Sequence, residues 1–290
     1  MVNRFEHRKR HYPTTSAIFM QELVLISIGA FLAAALTVPA GFGLSTLLTP
    51  LVLFILPVHE AVAVVAIVHC AHNAGKFLSL RESVDFSAFR RYGVWLIVGA
   101  IIGALLQNQV PGDPLLLLVG MFLIILPILS ISERWTGYKI PEANDQIGGF
   151  GSGYMGGLSG HQGALRAMFL TRRLPDKMAY AATASVLALC VDLSRIPVYI
   201  FFRSDEIVNH LTLTTVLVIS ALIGVRVGKR WLQSLKSSQI HNMVMFGIIS
   251  SGIFYIMEAL NYPSLLCFRA FTNSSKVSKI IVTTLIWSQY

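Results

Sequence analysis

The chain has 290 residues, of which 54% are apolar and 13% charged, with a formal net charge of +9. Soluble domains carry about 25% charged residues, so this composition excludes water as the solvent for most of the surface. The positive charge does not indicate a nucleic-acid partner, because the Lys and Arg residues fall in short clusters between apolar runs, as juxtamembrane charge does beside anionic headgroups.

The N-terminus carries Arg4, Arg8, Lys9 and Arg10 ahead of an apolar stretch from Leu23, with no small-residue cleavage site, so the first span is expected to stay in place. Apolar runs then follow at 21–40, 45–57, 60–79, 92–110, 114–132, 147–170, 177–202, 211–228 and 238–260. A transmembrane helix needs about 20 mostly apolar residues, and the connectors are too short to form a folded extramembrane domain. The predicted class is all-α: a polytopic integral membrane helical bundle whose main partner is the lipid bilayer. Eight nominal spans are expected. Function must therefore lie within the membrane. Cys70, Cys190 and Cys267 have no CxxC spacing and read as packing residues, with no metal site.

Two glycine-rich breaks interrupt the pattern, around Gly41 and Gly43 and around Gly160, His161, Gln162 and Gly163. Irregular backbone at membrane depth is tolerated only where protein or a water-filled cavity satisfies it. Similar features follow each break in the same order, which predicts two homologous repeats with glycine-broken helices. Asn73 and Lys76 recur as Asp192 and Arg195 after 119 positions, and Gly99 and Gly103 recur as Gly224 and Gly228 after 125. The expected units are a basic N-terminal segment at 1–20, a first repeat at 21–132, a linker at 133–146, a second repeat at 147–260 and a C-terminal tail at 261–290, read as a loose or surface-lying tail. The glycine pairs four apart read as helix-packing positions. The positive-inside rule puts the N-terminal cluster and the Arg81–Arg91 loop on one side if 21–57 makes one net crossing, and it reconciles the later clusters if 147–170 makes an even number.

Ionisable residues inside these runs are expensive and are functional candidates by default. His69, His72, Asn73 and Lys76 recur at helical spacing and share one face, and Ser185, Asp192, Arg195 and Tyr199 share another. Asp192 and Arg195 are placed to pair, leaving Lys76 and Arg166 without a local partner. The pattern predicts a site for a small anion at the repeat interface, with Lys76 and Arg166 or Arg195 supplying charge and half-helix N-termini supplying N–H groups. Snorkelling of Lys76 and Arg195 to the headgroups is the structural alternative. His69 and Asp192 are the candidates for proton coupling. No GxSxG, HExxH or Walker loop occurs, so no catalytic residue and no cofactor are expected.

From about residue 23 to 260 these motifs resemble the sulfite exporter TauE/SafE family. The resemblance is carried by the glycine-rich stretch from Gly41 to Pro50, by the His69, Asn73 and Lys76 helix, by the segment from Gly157 to Arg166, and by the segment from Ala182 to Tyr199. The chain has Gly43-Leu44-Ser45 where many members have three successive glycines. The resemblance implies a two-repeat helical protein that carries sulfite, sulfonates or related oxyanions by secondary transport across the bacterial cytoplasmic membrane. The candidate substrate-binding set is then His69, Asn73, Lys76, Gln162, Arg166, Asp192 and Arg195, with backbone breaks at Gly41, Gly43, Gly160 and Gly163. A transporter of another solute in the same fold, and a membrane assembly factor without transport, are the alternatives.

Overall fold

The computed structural model describes residues 16–41, 43–136, 144–174, 176–234 and 237–260. The basic cluster before Ser16, Cys267 and the C-terminal tail lie outside them, as does the 137–143 half of the expected linker. All regular structure among the described residues is helical: α1 (Ser16–Ala40), α2 (Leu44–Val52), α3 (Val58–Leu80), a short 3-10 turn, α4 (Phe86–Gln107), α5 (Gly112–Thr136), α6 (Asp145–Ser159), α7 (Gly163–Arg173), α8 (Lys177–Asn209), α9 (Leu211–Ser234) and α10 (Ser237–Ala259).

Six of these helices are long and apolar enough to cross a membrane: α1, α3, α4, α5, α8 and α9. That differs from the eight spans expected. The run at 147–170 is divided by Gly160, whose φ of 84° lies in the left-handed region that side-chain-bearing residues avoid, into pieces of 15 and 11 residues. The run at 177–202 instead extends to Asn209, although Arg203 leaves helical geometry with φ −142° and ψ 33°.

Large apolar side chains are the exposed ones, among them Leu25 on α1, Val94 on α4, Ile125 on α5 and Phe201 on α8. Charged side chains lie among the most buried, including Lys76, Arg166, Asp192 and Arg195. This arrangement is costly in water and natural in lipid, where the outside is as apolar as the core.

Glycine seams set how closely the helices approach. Gly99 and Gly103 of α4 rest on the backbone of Phe150 and Tyr154 of α6, and a Cβ on Gly153 or Gly157 would collide with the carbonyls of Leu96 or Ala100. Gly224 and Gly228 of α9 rest in the same way on Phe31 and Ala35 of α1. In both seams the contacts advance together along the two chains, so α4 runs parallel to α6 and α9 runs parallel to α1. α3 packs on α8 and α5 on α10 between them.

The helix ends sort into two groups. At one end Asp145 of α6 lies 2.9 Å from Arg173 of α7 and 3.7 Å from Arg91 of α4, and Lys229 of α9 donates to the Ser79 carbonyl of α3 at 3.1 Å. Asp85 and Asp176 cap α4 and α8 there by accepting from Ala88 N–H and Ala179 N–H. At the other end His210 meets Glu60 at 2.6 Å and Arg203 meets Asn108 at 2.7 Å, gathering the start of α3, the end of α4, the kinked end of α8 and the start of α9.

α6 and α7 therefore form a hairpin that enters and leaves at the basic end. α1 starts at the opposite end, where α9 and α3 also start. α2 turns back from Gly41 alongside α1, with Leu51 against Gly29. Residues 16–57 thus return to the end where α1 begins, which removes the single net crossing that the N-terminal cluster and the Arg81–Arg91 loop would need to share a side.

Candidate functional site

The tip of the α6–α7 hairpin, Gly160-His161-Gln162-Gly163, is buried against α8 and α10. Its geometry follows from the glycines. Gly160 supplies the left-handed turn, and a Cβ there would also lie 2.8 Å from Arg195 Nη1. Ser152 holds the hairpin shut by donating to the Gln162 carbonyl at 3.1 Å, and His161 Nε2 hydrogen-bonds the Tyr255 hydroxyl at 2.9 Å.

α3 and α8 bring the second set of groups together. His69 Nδ1–H donates to Asp192 Oδ2 at 2.7 Å, and Asn73 Nδ2 donates to the same oxygen at 3.3 Å. Arg195 donates to Asp192 Oδ1 through Nη2 at 2.7 Å and Nε at 3.1 Å. Asp192 is thus held by four donors and paired with one guanidinium, the condition under which a buried carboxylate is tolerated.

Arg195 also reaches the hairpin, donating from Nη1 to the Gly156 carbonyl at 3.1 Å, and Tyr199 donates its hydroxyl to the Gly157 carbonyl. Carbonyls near the C-terminus of a helix lack intrahelical partners and favour cations. Arg195 and Tyr199 therefore act as an α8 clamp on the end of α6. The snorkelling alternative does not hold: Lys76 and Arg195 are 1% and 0% exposed.

Lys76 and Arg166 are different. Arg166 is 1% exposed and donates from Nη1 to Gln162 Oε1 at 3.2 Å, while its Nε and Gln162 Nε2 have no hydrogen-bond partner among the described residues. Lys76 makes no hydrogen bond or ion pair with any described residue, yet it stands within electrostatic reach of Arg166. Among the described residues the carboxylate acting on Arg166 is Asp192, already paired with Arg195. Two positive charges are left over, surrounded by unpaired donors.

Tyr180 completes the surroundings. Its hydroxyl lacks a partner, it lies within electrostatic reach of Arg166, and its ring covers Gly41 so closely that a Cβ there would collide with it. The tip of the α1–α2 hairpin thus meets the Arg166 region from the other side. The first free N–H groups of α7, at Gly163 and Ala164, are buried beside Gln162 and Arg166.

The structure brings together His69, Asn73, Asp192 and Arg195 as one network, and Gln162 with Arg166 as another, with Lys76 near the second. His72 leaves the shared polar face and donates from Nε2 to the Ala34 carbonyl of α1 at 3.3 Å. Sequence reasoning missed Tyr180, which sits in an ordinary apolar run and carries no spacing signal, and the His161–Tyr255 contact. His161 stood within the glycine break and signalled the latter.

Fold and site together define a multi-pass helical membrane protein with an apolar exterior and a cationic, donor-rich interior. The chain belongs to the sulfite exporter TauE/SafE family, which it matches over residues 26–255. This is a family of transporters, not of enzymes. No curated protein and no solved structure matches the chain.

Proposed function

We propose that this protein is a secondary transporter of small sulfur-containing oxyanions, sulfite or a sulfonate among them, across the bacterial cytoplasmic membrane. The observation that carries this reading is the burial of Lys76 and Arg166 without a carboxylate partner. Each unpaired charge in a span costs at least about 2.5–3.5 kcal/mol on insertion scales. A bound anion offsets that cost, and Arg166 offers a planar fork suited to two or three oxygens. Gln162 Nε2 and the α7 N-terminus add donors aimed at negative charge.

The reading includes two inverted repeats, α1–α5 and α6–α10. Gly41 and Gly160, 119 positions apart, have φ of 81° and 84°. Phe31 and Phe150 fall at the same offset in the two glycine seams, and Asn73 touches its counterpart Asp192. Equivalent helices run in opposite directions, as α1 and α6 do. Such repeats allow a central site to face each side in turn. Arg91, Arg173 and Lys229 gather at one end, which the positive-inside rule assigns to the cytoplasm.

The test is flux of radiolabelled sulfite, thiosulfate and sulfate in proteoliposomes. Saturable flux of one oxyanion is expected, falling about 10- to 100-fold in Arg166→Gln, since hydrogen bonds to a charged group contribute roughly 1.5–3 kcal/mol. Unchanged flux and selectivity in that variant would make the cations structural. No flux above empty liposomes would favour another solute or a role in membrane assembly.

A further inference from the structure

We propose that His69 carries a proton that moves with the anion, making the protein an anion–proton symporter in which His69 is not itself a substrate contact. This rests on the anion reading above and adds its coupling.

Three histidines are buried in the bundle core, and their partners differ. His72 donates to a backbone carbonyl and His161 hydrogen-bonds a tyrosine, so neither has a carboxylate to hold an imidazolium. His69 alone of the three has one, with Nδ1 between 2.7 and 3.0 Å from both oxygens of Asp192. Because Nδ1–H is committed to Asp192, an arriving proton goes to Nε2; the Asn73 amide nitrogen 3.3 Å away is itself engaged in donating to the His69 carbonyl and Asp192, and Nε2 has no carboxylate or carbonyl partner among the described residues. A fourth pair, His210 with Glu60, is 25% exposed at the helix ends.

The charges acting on His69 come from several elements. Asp192 and Arg195 face it from α8 and Arg166 from α7, while His72 on α3 and His161 at the hairpin tip are the neighbouring histidines. Asp192 and Arg195 cancel as a pair. Protonating His69 with the anion site empty adds a third positive charge facing Arg166, next to Lys76. With an anion seated there, the added charge is offset. Anion and proton therefore raise each other's affinity by the same factor, as thermodynamic linkage requires. Mutual stabilisation favours loading both together and crossing with both. Asn73 and Asp192, which hold the imidazole, lie at the contact between the two repeats, where a rearrangement alternating access would pass.

The experiment uses the full chain in proteoliposomes with two readouts: counterflow of radiolabelled sulfite or thiosulfate at equal pH, and acidification of a trapped pH dye when the same anion is added outside. Thiosulfate carries no proton near neutral pH. For sulfite the readout is the difference between variant and unaltered protein. The unaltered protein should show both counterflow and acidification, with accumulation driven by an inward proton gradient. In His69→Gln, pH-driven accumulation should fall about tenfold further than counterflow does, a coupling of ordinary size. His69→Asn, assayed in parallel, guards against one variant failing to fold. Acidification that persists in the folded variants overturns the assignment of His69. Robust counterflow without acidification in the unaltered protein overturns symport while leaving the anion reading intact. Absence of counterflow with either anion overturns both.

Discussion

At the level of single residues, Lys76, Arg166, Asp192 and Arg195 divide by what satisfies them. Arg195 pairs with Asp192 and adds a second donor to the Gly156 carbonyl, so its removal leaves a buried carboxylate without its charged partner. Breaking a buried pair from one side costs about 3–5 kcal/mol. Lys76 has no partner to lose. Thermal unfolding in detergent should therefore show Arg195→Gln markedly destabilised and Lys76→Met as stable as the unaltered protein or more so, even as it loses transport. Stability gained where activity is lost is the usual mark of a site maintained for function. Equal destabilisation in both variants would mean that Lys76 is a structural cation. The Asp192–Arg195 pair was legible from spacing alone, since three residues along a helix bring two side chains together. The role of Arg195 as a clamp on α6 was not, because the Gly156 carbonyl is 39 positions away and no sequence pattern marks it.

Among the elements, the α6–α7 hairpin changes the reading most. Hydropathy takes 147–170 as one run because glycine, serine and apolar residues average to a span-like value. The reversal depends on one left-handed residue, Gly160. Once the hairpin returns to its own end, the clusters around Arg91, Arg173 and Lys229 share a side, as the even-crossing condition on that segment anticipated. Cysteine labelling tests the arrangement. In a background without the native cysteines, Gln146→Cys at the start of α6 and Lys177→Cys at the start of α8 should react with an impermeant maleimide from one side. Gln21→Cys, near the start of α1, should react from the other. Labelling of all three from the same side would contradict the hairpin orientation and the inverted repeats.

For the whole molecule, low charge and repeated apolar runs made a membrane protein legible in the sequence, and the 119-residue offset between Asn73 and Asp192 is what suggested the proposed repeats. The pseudo-symmetric contact between those two residues lay beyond it. Sequence offsets relate positions along the chain, whereas which faces meet depends on the glycine seams that align α1 with α9 and α4 with α6. Spacing already set Arg195, placed to pair with Asp192, apart from Lys76 and Arg166, and packing adds that all three cations are buried rather than turned to the headgroups. The unpaired charge of Lys76 and Arg166 is the proposed seat of the transported oxyanion. Its most direct test is equilibrium binding of radiolabelled sulfite to purified protein, comparing the unaltered chain, Arg166→Gln and, as a surface control, Arg226→Gln on the exposed face of α9. Saturable binding in the unaltered protein and the Arg226 variant, lost in a folded Arg166 variant, is the predicted result; binding that survives Arg166→Gln unchanged would contradict it.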